Sequence, residues 1–259
     1  MLPEQDGKSR LIVFAGQSNM LGHAKATGCP KPLSSVIRVW NNAGNAGAWV
    51  SAQLGFPPFN TRPGAPNNAA LVFACLLREA TGGEVFLAGL PVNGSTLLSW
   101  CEPTSPNMAR LLREMDCAIS SPDLRDAGVT QADTFLWHQG ESDDPGATMV
   151  KEAKLADTAA YARGFHHMIA GLAAQAWWRP VRTNIIAGEL VSGGWLSARN
   201  DFYCNRNLWS GLSPMGVASS EGLTDVGDRA HFDCMGLTGL GKAMFLVWQQ
   251  LVKKRIDDL

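Results

Sequence analysis

Short unbroken apolar runs alternate along this chain with stretches in which apolar residues recur every three or four positions. Leu11 to Ala15 (LIVFA) is a run of strand length, the pattern of a strand buried on both faces in a parallel sheet. Val36 to Trp40 (VIRVW), Val85 to Leu90 (VFLAGL), Asp133 to His138 (DTFLWH) and Thr183 to Leu190 (TNIIAGEL) predict further strands. Between them lie helical patterns. Asn67 or Asn68 can cap a helix running to about Ala80, where Gly82-Gly83 stops it. Met108, Leu111, Leu112, Met115 and Ile119 mark an amphipathic helix. A long helix is expected from Thr148 to about Ala174, and Leu240, Met244, Val247, Trp248 and Leu251 mark a closing one. The Gly-, Pro- and Asn-rich segment from Asn41 to Asn68 predicts a long surface loop able to form one wall of a cleft.

Strands alternating with helices predict an α/β fold: a single domain with a mostly parallel five-stranded sheet and helices on both faces. Ligands in such sheets collect beyond the carboxyl ends of the strands. GQSN, NGST and QGES each follow a predicted strand, so all three are expected at one edge of the sheet. The polar residues 1–10 read as an N-terminal extension, and residues 11–259 as the domain. That extension has no basic start followed by an apolar stretch, so a secretory signal is not expected and a cytoplasmic location is. No apolar run is long enough to span a bilayer. The formal net charge of −1 gives no field to attract nucleic acid. The 6 cysteines (Cys29, Cys75, Cys101, Cys117, Cys204 and Cys234) show neither Cys-x-x-Cys nor zinc-finger spacing. They read as free, mostly buried thiols, with a Cys204–Cys234 disulfide left open.

Four polar segments carry candidate chemistry. Gly16-Gln17-Ser18-Asn19-Met20 follows the first strand. A serine on such a turn can present its hydroxyl and its own N–H to the same space, or it can simply cap the next helix. Asp228-Arg229-Ala230-His231-Phe232 can supply a base and the group that orients it from one loop, although a lone histidine is more often just a surface residue. Trp137-His138-Gln139-Gly140-Glu141-Ser142-Asp143 follows the fourth strand. The Gln139 amide can donate to a developing oxyanion. Glu141 can bind substrate, orient a catalytic group or hold its loop, whereas Asp143 reads as a solvated carboxylate. Asn93-Gly94-Ser95-Thr96, with Trp100 downstream, offers an unobstructed glycine N–H, and alone reads as a turn. His23, His138 and the pair His166-His167, the latter expected on a solvated helix face, make weaker cases.

Together these segments resemble the SGNH hydrolase superfamily, and more closely its carbohydrate esterase family 6 and sialate O-acetylesterase branch. GQSNM resembles the nucleophile block, NGST-x-x-x-W the glycine block, WHQGESD the third block with Gln in place of Asn, and Asp228-x-x-His231-Phe232 the acid–histidine block. Ser219 to Leu223 and Gly236 to Gly241 also fit, so the resemblance spans about Leu11 to about Leu251. Asn93 departs from the usual glycine. The resemblance implies an SGNH/flavodoxin-like three-layer sandwich and a serine esterase acting on an acetylated carbohydrate: xylan, sialic acid or a small glycoside. It implies a catalytic set of Ser18, His231 and Asp228, and an oxyanion hole of the Ser18 N–H, the Gly94 N–H and Gln139. Gln17, Asn19, Asn93, Glu141 and Trp100 are expected to bind substrate or support loops, with Trp49 and Trp100 as candidates for sugar stacking. No metal or organic cofactor is implied. The rival readings are a lipase, thioesterase or arylesterase on the same fold, and a carbohydrate-binding module without turnover.

Overall fold

The computed structural model describes residues 6–22, 37–42, 47–54, 56–59, 67–194, 199–212 and 214–257. All of the expected strands form within these, and two more join them. They are β1 (Arg10–Gly16), β2 (Ile37–Asn41), β3 (Ala48–Ser51), β4 (Val85–Pro91), β5 (Ala132–His138), β6 (Asn184–Gly188) and β7 (Met215–Ala218). One 7-stranded sheet results, in the order β3-β2-β4-β1-β5-β6-β7. Neighbours are parallel except β2 and β3.

The helices are α1 (Ser18–Leu21), α2 (Ala69–Thr81), α3 (Pro106–Ile119), α4 (Pro122–Asp126), α5 (Thr158–Ala173), α6 (Asn200–Cys204) and α7 (Cys234–Asp257). Successive residues of a strand face opposite ways, which is why LIVFA is apolar throughout. Leu11, Val13 and Ala15 pack with Met108, Leu111 and Met115 of α3 and with Tyr161 and Phe165 of α5. Ile12 and Phe14 pack with Leu71, Phe73 and Leu77 of α2 and with Leu237, Leu240 and Met244 of α7. Asn68 caps α2, its side chain accepting from Leu71 N at 3.1 Å, and Gly82 ends the helix in the left-handed conformation.

Several expectations need correction. The sheet has 7 strands rather than five. β3 lies inside the segment 41–68 that was expected to be all loop. The apolar side chain of Trp49 draws this strand against the core, and it pairs antiparallel to β2 at the sheet edge. Trp49 is 6% exposed, with its ring 5.5 Å from Trp40 and 5.1 Å from Phe86 and its Nε1 donating to Ser121 Oγ at 2.9 Å. It is a core residue and does not present a stacking face. β7 (MGVA) is too short, and too interrupted by glycine, to show a pattern. The long helix begins at Thr158, not Thr148, where the Asp157 side chain accepts from Ala160 N at 2.7 Å. Cys204 is a free thiol and Cys234 is disulfide-bonded, so these two are not paired to each other, and the all-thiol expectation fails at Cys234. Cys75 and Cys101 are buried free thiols, whereas Cys117 and Cys204 are exposed; Cys29 lies outside the described residues. Among the described residues, no helix is long and apolar enough to cross a membrane.

β1 and β5 are neighbours, and the chain leaves them in opposite directions, toward β2 on one side and β6 on the other. A crevice opens at such a divergence, beyond the carboxyl ends of the strands.

Candidate active site

The crevice is built from backbone geometry first. Gly16 ends β1 at φ +139°, and a Cβ there would stand 2.0 Å from His138 O. Only glycine lets the two strand ends run so close. Gln17 N then donates to His138 O at 3.0 Å, and Val92 N donates to Gly16 O at 2.8 Å. The ends of β1, β4 and β5 are thereby tied together. Ser18, 2% exposed, follows at the start of α1.

His231 reaches Ser18 from a tight turn. Asp225 and Phe232 form an antiparallel bridge, and Val226 N donates to His231 O at 2.9 Å. Inside this turn Arg229 adopts φ +58°, a conformation rare for a side-chain-bearing residue. The chain thereby folds back so that Asp228 Oδ1 accepts from Ala230 N at 2.9 Å and from His231 N at 2.8 Å. The other oxygen, Oδ2, lies 2.7 Å from His231 Nδ1, and His231 Nε2 lies 3.0 Å from Ser18 Oγ. With its Nδ1–H directed at the carboxylate, the imidazole turns the lone pair of Nε2 toward the serine hydroxyl. Partial burial raises the Asp228 pKa, but hydrogen bonds from the His231 ring and from the His231 and Ala230 N–H groups outweigh it. The net value lies below the ordinary 3.8.

Asn19 holds this turn in place. Its Nδ2 donates to Ala230 O at 3.0 Å and its Oδ1 accepts from Phe232 N at 3.0 Å, so it grips the chain on both sides of His231. Glu141 Oε1 accepts from the same Nδ2 at 2.7 Å and sets the amide's orientation. Glu141 is 4% exposed, and its Oε1 lies 3.4 Å from His138 Nδ1. His138 itself is turned away from the serine, its Nε2 meeting Glu189 O at 3.0 Å.

Gln139 departs from expectation. It is fully buried, and its Nε2 faces three protein oxygens: Asp143 Oδ2 at 2.6 Å, Ser95 O at 3.0 Å and Gln17 Oε1 at 3.2 Å. Its amide hydrogens are committed inside the protein rather than directed at a substrate. Asp143 likewise is no solvated carboxylate. It is 1% exposed and also accepts from Leu97 N at 2.8 Å. Burial raises its pKa more than the hydrogen bonds from Gln139 and Leu97 lower it.

Trp100 is fully buried, with Nε1 on Ser95 Oγ at 3.1 Å and its ring edge-on to Trp137, so it supports the glycine loop and has no face for a sugar. Asn93 is exposed beside Gly94, which adopts φ +71° and has open space where a Cβ would sit. Neither the Gly94 nor the Ser18 N–H has a protein acceptor among the described residues. His167 is exposed, but His166 is half-buried against Leu208 O at 2.9 Å; His23 lies outside the described residues. The described residues hold no group of three or more His, Cys, Asp or Glu that could bind a metal.

The sequence reading missed Tyr161 and Tyr203, the chain's only 2 tyrosines. Tyr161 OH donates to Gln139 Oε1 at 2.8 Å, and Tyr203 OH donates to Gln139 O. Burial lifts both phenols above their usual range, which keeps them as neutral donors. Their scarcity was the one available signal, because a rare buried tyrosine needs a partner for its hydroxyl.

Compared with known proteins, the chain matches at residues 8–250 a family model described as carbohydrate esterase, sialic acid-specific acetylesterase. The chain belongs to this family. It is therefore a carboxylic ester hydrolase that removes O-acetyl groups from carbohydrate. No curated protein matches this esterase significantly. Solved structures similar to it include a protein from Arabidopsis thaliana (17% identity, 96% of this chain and 99% of that one, TM-score 0.70). NanS is similar at 14% identity over 98% of this chain and 100% of that one, with a TM-score of 0.68. A carbohydrate acetylesterase from Xanthomonas citri is similar at 16% identity over 95% of this chain and 56% of that one, with a TM-score of 0.61. At these identities the likeness to the esterase is one of fold, and it spans nearly the whole chain.

Proposed function

We propose that the esterase deacetylates its carbohydrate through an acetyl-serine intermediate formed on Ser18. The observation that carries this reading is the continuous line from Asp228 Oδ2 through His231 (2.7 Å) to Ser18 Oγ (3.0 Å). His231 Nε2 takes the hydroxyl proton as Ser18 Oγ bonds to the acetyl carbonyl carbon. The carbonyl π electrons move to oxygen, where the N–H groups of Ser18 and Gly94 receive the charge. The tetrahedral intermediate collapses with cleavage of the bond to the sugar oxygen, and His231 returns the proton to that oxygen. Water then repeats the sequence on the acetyl-serine, releasing acetate and restoring Ser18. Asp228 keeps the ring oriented and offsets its positive charge in both halves. This chemistry consumes only water.

The test is acetate release from a panel of acetylated xylan, sialic acid and small glycosides, with wild type and Ser18→Ala, together with labelling by a serine-directed organophosphonate. Ser18→Ala is expected to lose nearly all turnover while its circular dichroism is unchanged, and the label is expected on Ser18. Near wild-type rates in Ser18→Ala, or a label elsewhere, would remove Ser18 from the role.

A further inference from the structure

We propose that the side-chain amide of Gln17 is a third oxyanion donor and that Gln139 aims it without touching the substrate. This rests on the reading of Ser18 as the nucleophile. Gln17 immediately precedes Ser18, so its side chain departs from the same turn as the Ser18 N–H. Its carbonyl oxygen is held from two sides, by Gln139 Nε2 at 3.2 Å and by Ser142 N at 3.3 Å. In a primary amide the oxygen and nitrogen leave the same carbon about 120° apart, so pinning the oxygen fixes where the NH2 points. That NH2 meets no protein acceptor among the described residues, yet Gln17 is only 3% exposed and the nitrogen is not among the atoms sealed from solvent. Because this nitrogen is open to solvent, a water can accept from it in the free protein, and an acceptor on the substrate can take that water's place. A carbonyl oxygen gaining negative charge beside Ser18 is such an acceptor.

Gln139 has the opposite character. Tyr161 OH holds its oxygen at 2.8 Å, and Asp143 Oδ2 and Ser95 O hold its nitrogen at 2.6 and 3.0 Å. This is the arrangement of a positioning residue, locked on every side and passing its rigidity to the neighbouring amide. Tyr161, Asp143 and Ser142 then belong to a scaffold whose output is the direction of one N–H pair.

Two substitutions separate donation from support. Gln17→Glu keeps an oxygen for Ser142 N and Gln139 Nε2 but replaces the NH2 with oxygen, and Gln17→Met keeps the length with no donor. Both are expected to lower kcat about 100-fold to 1,000-fold with KM little changed. Gln139→Ala is expected to lower kcat as well, and the Gln17→Met/Gln139→Ala double variant to be no slower than Gln17→Met alone, because both act through one amide. A third measurement needs no variant to fold as wild type does. Methylboronic acid, which forms a tetrahedral adduct on a nucleophilic serine, is expected to move the Gln17 side-chain NH2 resonance downfield in the 15N spectrum of the wild-type protein. Gln17→Met turning over at close to the wild-type rate, or a boronate adduct that leaves the Gln17 NH2 resonance unmoved, would overturn the inference. Ser18→Ala run in parallel separates the two levels: if it stays active, the underlying assignment fails and not merely the role of Gln17.

Discussion

Two carboxylates stand within one residue of contact with the Ser18–His231 pair, and geometry divides their work. Asp228 touches the imidazole directly at 2.7 Å, whereas Glu141 reaches the histidine loop only through Asn19. An amide at the first position leaves the imidazole able to take the wrong tautomer, an effect on rate rather than on folding. Asp228→Asn is therefore expected to lower kcat by at least about 100-fold with its thermal midpoint nearly unchanged. Glu141→Gln puts a donor where Asn19 Nδ2 needs an acceptor, or leaves a buried polar group unpaired, and is expected to lower the midpoint more than kcat. Measuring both quantities on both variants decides the matter, and the reverse pattern would exchange the roles. The contact between Asp228 and His231 was legible because an Asp-x-x-His turn holds both side chains in one short loop, whereas Ser18, far away in the chain, was joined to them only through the resemblance of the four segments. The work of Gln139, Asp143, Trp49 and Trp100 was not legible. A polar or aromatic side chain looks the same in sequence whether it faces substrate or three buried oxygens, and only the packing around it tells which.

At the scale of elements, the turn after β1 limits how much change the site tolerates. Gly16 combines φ +139° with a would-be Cβ 2.0 Å from the His138 carbonyl, so even alanine must pry β1 from β5. Gly16→Ala is expected to cost more than about 2 kcal/mol and to lower activity through loss of the folded state. Urea unfolding gives the number, and a loss under about 0.5 kcal/mol, the size of a neutral surface change, would mean the turn is not constrained. The same element shows why strands were easier to read than loops. The strand LIVFA announces itself because both of its faces are buried, and α3 because its apolar face repeats with the helical period. β3 contributes one core side chain, Trp49, from an otherwise exposed edge, and β7 has four residues, so neither presents enough repeats for a period to emerge. The early start expected for α5 has a similar cause. Residues 148–157 carry alanines, lysines and a leucine that suit a helix, yet Asp157 supplies the cap that begins it.

For the molecule as a whole, the scaffold beneath the crevice ties stability to pH. Asp143 sits where the loops after β4 and β5 meet, accepting from Leu97 N and Gln139 Nε2. Burial raises its folded-state pKa above the ordinary 3.8. The folded protein thus holds this proton more tightly than the unfolded chain does. Stability therefore falls as pH rises from 3.8 to the raised folded value, and the cost stays in full above it. Asp228 acts in the opposite sense, because its folded pKa is lowered. Its contribution is present above 3.8 and is lost as pH falls through the folded value, and its half-exposed position keeps that contribution small. The two effects occupy different windows, so they can be read separately. Asp143→Asn removes the ionisation while keeping an oxygen for Leu97 and Gln139, at the expense of a fixed change in packing and hydrogen bonding. The fixed change shifts the thermal midpoint equally at every pH, whereas the lost ionisation does not. The midpoint of Asp143→Asn minus that of wild type is accordingly expected to rise as pH climbs above 3.8 and to level off once the pH passes the raised folded value. Calorimetry or circular dichroism across that range supplies the difference curve. A flat curve would show that Asp143 titrates alike in the folded and unfolded chain, and that the polar scaffold holds it without the penalty its burial implies.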